Sequence, residues 1–397
     1  MQAKKLPQRG KSLVKLIARH ILNEYLPGVC AREMNRSVAP WVLLILAGAF
    51  YFIPLTTGTK AGSEEPALDF VQQGAHDEII LTRPSYDYAP AVIRDGTVYR
   101  LYWCAGVAGD FILYAEASDP RGPWHSSQIQ TANTFDVALR PTGSSANFDG
   151  LHTCDPSVIK ISDRYYMYYG GSSADGALTA IGLAASSDGI HFNRMNGGEP
   201  IITAARTNPK YELNHLTYGA GQPAVLYWGS YFYLSFTDST GAGVNPGNGA
   251  GQFLMRSKDP TFQTGLQEWT GTGWADRAAG QHTAEYSYLE SFGIDWMLDV
   301  KTNQIIIATD RIAGEVSLYL LDSDTFSVRD ASKLPTQWRE GPALIAQADR
   351  TALPRPTCDA QQIEVVVAEG PKPDPWTWDL ALSSGNFKIS PCANTLK

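Results

Sequence analysis

From about residue 76 the chain is built of short apolar runs broken by polar turns, in the pattern of β-strands. The clearest stretch is His152–Gly171. There Cys154-Asp155-Pro156-Ser157-Val158-Ile159 leads through Ser162-Asp163-Arg164 into Tyr165-Tyr166-Met167-Tyr168-Tyr169, a strand, a tight turn and a second strand rich in aromatic residues. Proline cannot donate to a ladder and sits at strand starts, so Asp155 is expected where the strand leaves a loop. No amphipathic helix of useful length is predicted after residue 75.

The hairpin recurs. Ala89-Pro90-Ala91-Val92-Ile93, Gln222-Pro223-Ala224-Val225-Leu226 and a weaker copy at Ile294-Asp295-Trp296-Met297-Leu298 place the strand heads at Ala89, Asp155, Gln222 and Ile294, in steps of 66, 67 and 72 residues. A second marker has the same period. Ser118-Asp119-Pro120, Ser187-Asp188-Gly189, Lys258-Asp259-Pro260 and Ser323-Asp324-Thr325 are spaced 69, 71 and 65 apart, and each reads as the turn between third and fourth strands. A repeat of this length holding about four strands is a propeller blade. A fifth, degenerate copy pairs Gly341-Pro342-Ala343-Leu344-Ile345 with Gln362–Ala368. The fold expected is all-β, a five-bladed propeller over residues 76–397 behind an N-terminal transmembrane or signal segment.

That segment changes the picture of the chain. Residues 1–36 hold eight Lys or Arg against two acids, so the overall charge of −8 leaves about −14 for the rest. An acidic body without a basic stripe argues against a nucleic-acid partner. Residues 37–59 carry no charge and centre on Trp41–Ile53, long enough to span a bilayer. The basic flank places the N-terminus inside. The segment reads either as a signal anchor or, with translation from Met34, as a signal peptide; in both, residues beyond a 60–75 linker are exported. The only membrane contact expected is through this segment, and the body is periplasmic or otherwise extracytoplasmic. Cys30 stays inside. Cys104, Cys154, Cys358 and Cys392 remain, an even number for an oxidising compartment, with Cys104–Cys154 and Cys358–Cys392 the favoured pairs. No Cys-x-x-Cys spacing suggests zinc.

The Asp-Pro-Ser-Val strand head followed by Tyr-Tyr-x-Tyr-Tyr, repeated over five blades, resembles the five-bladed glycoside hydrolases, nearest to glycoside hydrolase family 43. This family includes arabinanases, arabinofuranosidases and xylosidases. The resemblance implies a furanose- or pentose-rich polysaccharide or oligosaccharide substrate, arabinan-like in the first instance, and three carboxylates around the funnel. These are a first-blade Asp as base or nucleophile, a second-blade Asp that orients and tunes, and a later Glu as acid. Asp155 matches the second position. The first-blade position holds Ala89, so Asp87, two residues earlier, is the candidate base. The third blade has Gln222 where the resemblance implies Glu, so Glu290 is the candidate acid and Glu285 the next, with Glu212, Glu340 and Asp295 behind them. Glycoside cleavage needs an acid on the leaving oxygen and a carboxylate opposite, with their pKa values pushed apart. Tyr86, His152, His215, Tyr218, Gln222 and Trp296 are candidate substrate-binding residues, since aromatic faces stack on sugar rings. Asp87 and Asp155 have a structural alternative as turn caps, and half of the aromatics a core alternative. No cofactor is called for, and a central structural cation is left open. A propeller that binds envelope polysaccharide without cleaving it is the rival function, favoured by the missing Glu. Glycoside phosphorolysis, which needs a basic phosphate pocket, finds too few Arg and Lys near the strand heads.

Overall fold

In the computed structural model, runs of Val, Ile, Tyr and Ala between tight turns form five sheets that succeed one another along the chain. The structure describes residues 70–388 except 73–77, 85, 107–108, 207–217, 313–314, 335–338, 356–359 and 371–377. The apolar segment 37–59, Cys30, His215, Glu212, Cys358 and Cys392 lie outside the described residues. Among the described residues no helix is long and apolar enough to cross a membrane.

Blade I is Tyr86–Asp95, Val98–Gly106, Asp110–Ala117 and Asp136–Leu139. Blade II is His152–Ile161, Arg164–Ser172, Ala180–Ser186 and Asn193–Arg194. Blade III runs through Ala220–Trp228, Tyr231–Asp238, Gln252–Ser257 and Gln267–Trp269 to an extra strand, Trp274–Asp276. Blade IV is Ile294–Asp299, Gln304–Ile312, Glu315–Asp322 and Val328–Lys333. Blade V is Arg339–Leu344, Ala360–Glu369 and Asp379–Lys388, and its outer edge is covered from the other end of the chain. Phe70–Gln72 and Glu78–Leu81 both pair with Asp379–Lys388, so part of the expected 60–75 linker is a strand that closes the ring. Closure removes an exposed edge that would otherwise template pairing with another chain.

Successive side chains on a strand point to opposite faces, and here both faces are buried, one against each neighbouring blade. Val92 joins the core shared with blade V while Ala91 and Ile93 join the core shared with blade II. Five such cores fill the five blade junctions. This is why the inner strands read as continuous apolar runs.

The turn marker has a physical basis. Asp119, Asp188 and Asp259 each accept a backbone N–H two residues on, at 2.8–2.9 Å, and pin the turn after the third strand. In blade IV the residue that does this is Asp322, which accepts from the Asp324 and Thr325 amides; the motif around Asp324 is offset by two. At the strand heads Ala89, Asp155, Gln222 and Gly341 all have positive φ, 44–57°, and each precedes a proline. The ladder skips there, between Tyr88 and Ala91, Cys154 and Ser157, Gly221 and Ala224, and Glu340 and Ala343. Each head is therefore a β-bulge, and at Ala89, Asp155 and Gln222 it turns a side chain toward the axis. Left-handed backbone before proline is costly for a residue with a Cβ. The head of blade IV has neither proline nor bulge, and Ile294–Asp299 pairs in unbroken register.

Candidate functional site

The four bulged heads meet at a small axial cleft, and two of them, Asp155 and Gln222, also border a cavity of about 500 Å³. Its wall takes Tyr86 and Tyr88 from blade I, His152, Cys154 and Asp155 from blade II, Tyr218, Gln222 and Thr237 from blade III, and Phe292 and Asp310 from the blade IV side. Asp110, at the start of the third strand of blade I, completes it. The mixture of flat aromatic faces with a few convergent polar groups suits a small ligand.

Asp155 is a buried carboxyl, 8% exposed, that borders both this cavity and a cleft of about 40 Å³ on the axis. The Tyr218 hydroxyl donates to its Oδ2. Burial is the largest influence on this carboxyl and raises its pKa to about 6; the Tyr218 bond and the Gln222 backbone N–H oppose the rise, and the charge of Asp110 adds to it. The same carboxylate and burial push the Tyr218 hydroxyl well above its ordinary range. Tyr218 is itself fixed by its amide, which donates to Ser239 Oγ at 2.8 Å, and by its carbonyl, which accepts from Thr179 N at 2.8 Å.

A disulfide ties the site to its neighbour blade. Cys104 of blade I joins Cys154, next to Asp155, as the sequence led us to expect. Asp110 lies against these sulfurs, and the three form the one cluster of potential metal donors among the described residues. With both sulfurs bonded to each other, Asp110 alone keeps a donor. The axial cleft carries one charged side chain, Asp155, among its described lining residues, few ligands beside the six to eight oxygens calcium takes.

His152 lies at the cavity's mouth between two carboxylates. Its Nδ1 is 2.8 Å from Asp110 and its Nε2 2.9 Å from Asp175, which sits in the tight turn Ala174–Ala177. Asp310, on the second strand of blade IV, is buried, and its Oδ2 accepts from Gly341 N at 3.2 Å, linking blade IV to the head of blade V. Gln222 Oε1 accepts from Thr237 Oγ1 at 3.0 Å.

Other expected site residues lie elsewhere. Asp87 is fully buried on the side of its strand away from Tyr86 and Tyr88; its Oδ1 accepts from Arg83 Nε at 2.8 Å and Trp103 Nε1 at 2.7 Å, in the packing between blades V and I. Burial raises its pKa, against the pull of Arg83. Glu290 is exposed and accepts from Asn245 Nδ2 at 2.7 Å beside a different, shallower cavity of about 280 Å³, and Glu285 is exposed on the same loop. Trp296 is fully buried in the core between blades III and IV. Asp295 is buried against Arg350 and Leu344 N. Asp110 and Asp310 are the carboxylates that sequence reading missed: neither sits at the proline-marked head of an inner strand or in a repeated motif.

No protein-family model matches the chain. Of solved structures, the family 117 glycoside hydrolase Zg3597 of Zobellia galactanivorans superposes with a TM-score of 0.52 at 11% identity, covering 81% of this chain and 90% of that one. A GH43_1 enzyme from Xanthomonas citri gives 0.50 at 11% identity, covering 78% and 91%. CoXyl43, a GH43 β-xylosidase/α-arabinofuranosidase from a compost microbial metagenome, gives 0.50 at 13%, covering 80% and 98%. The fold is that of these glycoside hydrolases. Sequence similarity points the same way over part of the chain. A probable arabinan endo-1,5-α-L-arabinosidase A of Aspergillus flavus is 30% identical over 174 residues, 39% of this chain and 48% of that protein. A probable arabinan endo-1,5-α-L-arabinosidase C of Aspergillus niger is 25% identical over 223 residues, 55% and 56%. The matched stretches thus span about half the length of these curated relatives.

Proposed function

We propose that the chain is a glycoside hydrolase that cleaves an arabinan-like, furanose- or pentose-containing polysaccharide in the 500 Å³ cavity. The observation that carries this reading is Asp155. It is a buried carboxyl held at a bulged strand head, with its pKa raised to about 6, in a cavity that also presents Asp110, Asp310 and three tyrosines. Perturbed carboxyls that share a cleft with ionised partners are the arrangement glycoside cleavage uses. The partial similarity to arabinan endo-arabinosidases supports arabinan as the first substrate to try.

In this reading Asp155 orients the sugar and sets the field in which the other groups titrate. The role expected of Asp87 passes to Asp310, a carboxylate of the same cavity, which would assist the attacking water. The tyrosine faces would stack on the sugar. Export is part of the proposal: a Cys104–Cys154 disulfide belongs to an oxidising compartment, with the 37–59 segment as anchor or cleaved signal. The experiment is a panel of linear and branched arabinans, xylans and fructans incubated with exported protein, with reducing ends followed over time. Release from arabinan supports the reading, and release from none of the panel overturns it.

One observation favours a second reading, a propeller that binds envelope polysaccharide without cleaving it. Ala89 and Gln222 stand at two strand heads where the resemblance implies carboxylates. Tight glycan binding with no released product would select it.

A further inference from the structure

If Gln222 replaces the proton donor, the leaving oxygen must be protonated by another group. We infer that His152 is that acid, a catalytic residue of the hydrolysis proposed above, on which this inference rests. Among the described residues lining the cavity no Lys or Arg is present, and beside its carboxyls the one ionisable nitrogen group is the imidazole of His152. Asp155 lies deep, with Oδ2 engaged by Tyr218. His152 lies at the mouth, where a leaving sugar departs and solvent can return a proton.

The hydrogen-bond geometry specifies the working atom. Asp110 and Asp175 accept when ionised, so both ring nitrogens act as donors only in the imidazolium form. Asp110 reaches Nδ1 from blade I and fixes the ring across the blade junction, the orienting contact a general acid needs. Asp175 holds Nε2, but its side chain is 91% exposed on a turn. A contact so open to water is weak and salt-screened. It stands where a glycosidic oxygen would sit, and a bound glycan displaces it.

The step balances. The Nε2 proton passes to the glycosidic oxygen as the C1–O bond breaks, and that bond's electron pair stays on the oxygen. A water oxygen bonds C1 and gives its proton to a cavity carboxylate; the carboxylate then releases that proton to solvent, and solvent reprotonates His152. The charged or titratable groups facing the ring are Asp110 from blade I, Asp175 from its turn and, three residues along the same strand, Asp155.

The test compares wild type and His152→Gln on linear arabinan, whose alcohol leaving group needs a proton, and on a 2,4-dinitrophenyl arabinobioside, whose phenolate does not. General-acid loss should lower arabinan turnover by about 10²-fold or more and the activated substrate by less than about fivefold, with the basic limb of the pH profile abolished. Equal losses on both substrates, or no loss, overturn the assignment. Asp175→Asn, at an exposed position that leaves the fold intact, is the companion. It should lower KM for arabinan with the basic limb retained, and a raised KM overturns the displacement. Wild type that cleaves neither substrate sinks the hydrolase reading itself; wild type that cleaves both while His152→Gln keeps pace sinks this inference alone.

Discussion

Replacing Asp155 with asparagine removes a buried carboxyl at little cost in shape, because an amide oxygen can still accept from the Tyr218 hydroxyl. The consequence for stability follows from linkage. In the folded chain the Asp155 pKa is raised from 3.8 to about 6, so the native state holds the proton more tightly than the unfolded chain does. Its contribution is fully favourable below the unfolded value, near pH 4, and is lost as pH rises through 6. One unit is worth about 1.4 kcal/mol. A rise of roughly two units therefore costs the wild type about 3 kcal/mol above pH 7, mostly as the penalty of burying a charge. Asparagine does not titrate and escapes it. Urea denaturation of both proteins from pH 4 to pH 8 should give a stability difference near zero at pH 4, growing to about 3 kcal/mol in favour of Asp155→Asn by pH 7 and flat beyond. A difference independent of pH would refute the claim that burial dominates this carboxyl. A site that sacrifices stability in this way fits a functional role.

Three other expectations rest on different parts of the molecule. Replacing both Cys104 and Cys154 with serine opens a link across 50 residues and should lower unfolding free energy by about 4 kcal/mol, read as the gap between oxidised wild type and variant in denaturant. Arg350 is buried and donates to Asp295 and to the Trp296 and Val92 carbonyls, tying blades IV and I together; Arg350→Met strands Asp295 and should cost about 3–5 kcal/mol by the same measurement. Glu290→Gln and Glu285→Gln, both exposed and away from the main cavity, should leave product release within about twofold of wild type; a hundredfold loss in either would move the chemistry to their loop.

The blades were legible because each inner strand is apolar on both faces and begins after a fixed polar signal. Pro90, Pro156, Pro223 and Pro342 mark four of the five heads, and capping aspartates mark four of the outer turns. Blade IV was placed only roughly because Gly293-Ile294 offers no such mark. Closure was missed: Phe70–Gln72 is too short to stand out and is paired with a strand more than 300 residues away.

The site was harder to read. In a regular strand Asp87 would share a face with Ala89, and two residues' offset would cost nothing. The bulge breaks that parity, turning the strand head to the axis while Asp87 stays with Trp103 between the blades. Glu290 follows Leu289, which bridges to Gln252 and is buried, so Glu290 faces solvent. Asp110 and Asp310 come to the cavity by the hairpin after Gly106 and by the second strand of blade IV, neither of which differs in sequence from ordinary strand. His152, Tyr218 and Gln222 do line the cavity, and they sit beside strand heads, where local sequence and three-dimensional position coincide.

Cleavage of a glycan in the cavity around Asp155 must depend on that carboxyl. Reducing-end release from linear arabinan by wild type and by Asp155→Asn, with binding of the same arabinan measured in parallel, tests it most directly. Wild type should release product, and the variant should lose at least about 10²-fold with binding retained. Undiminished release by Asp155→Asn would contradict it.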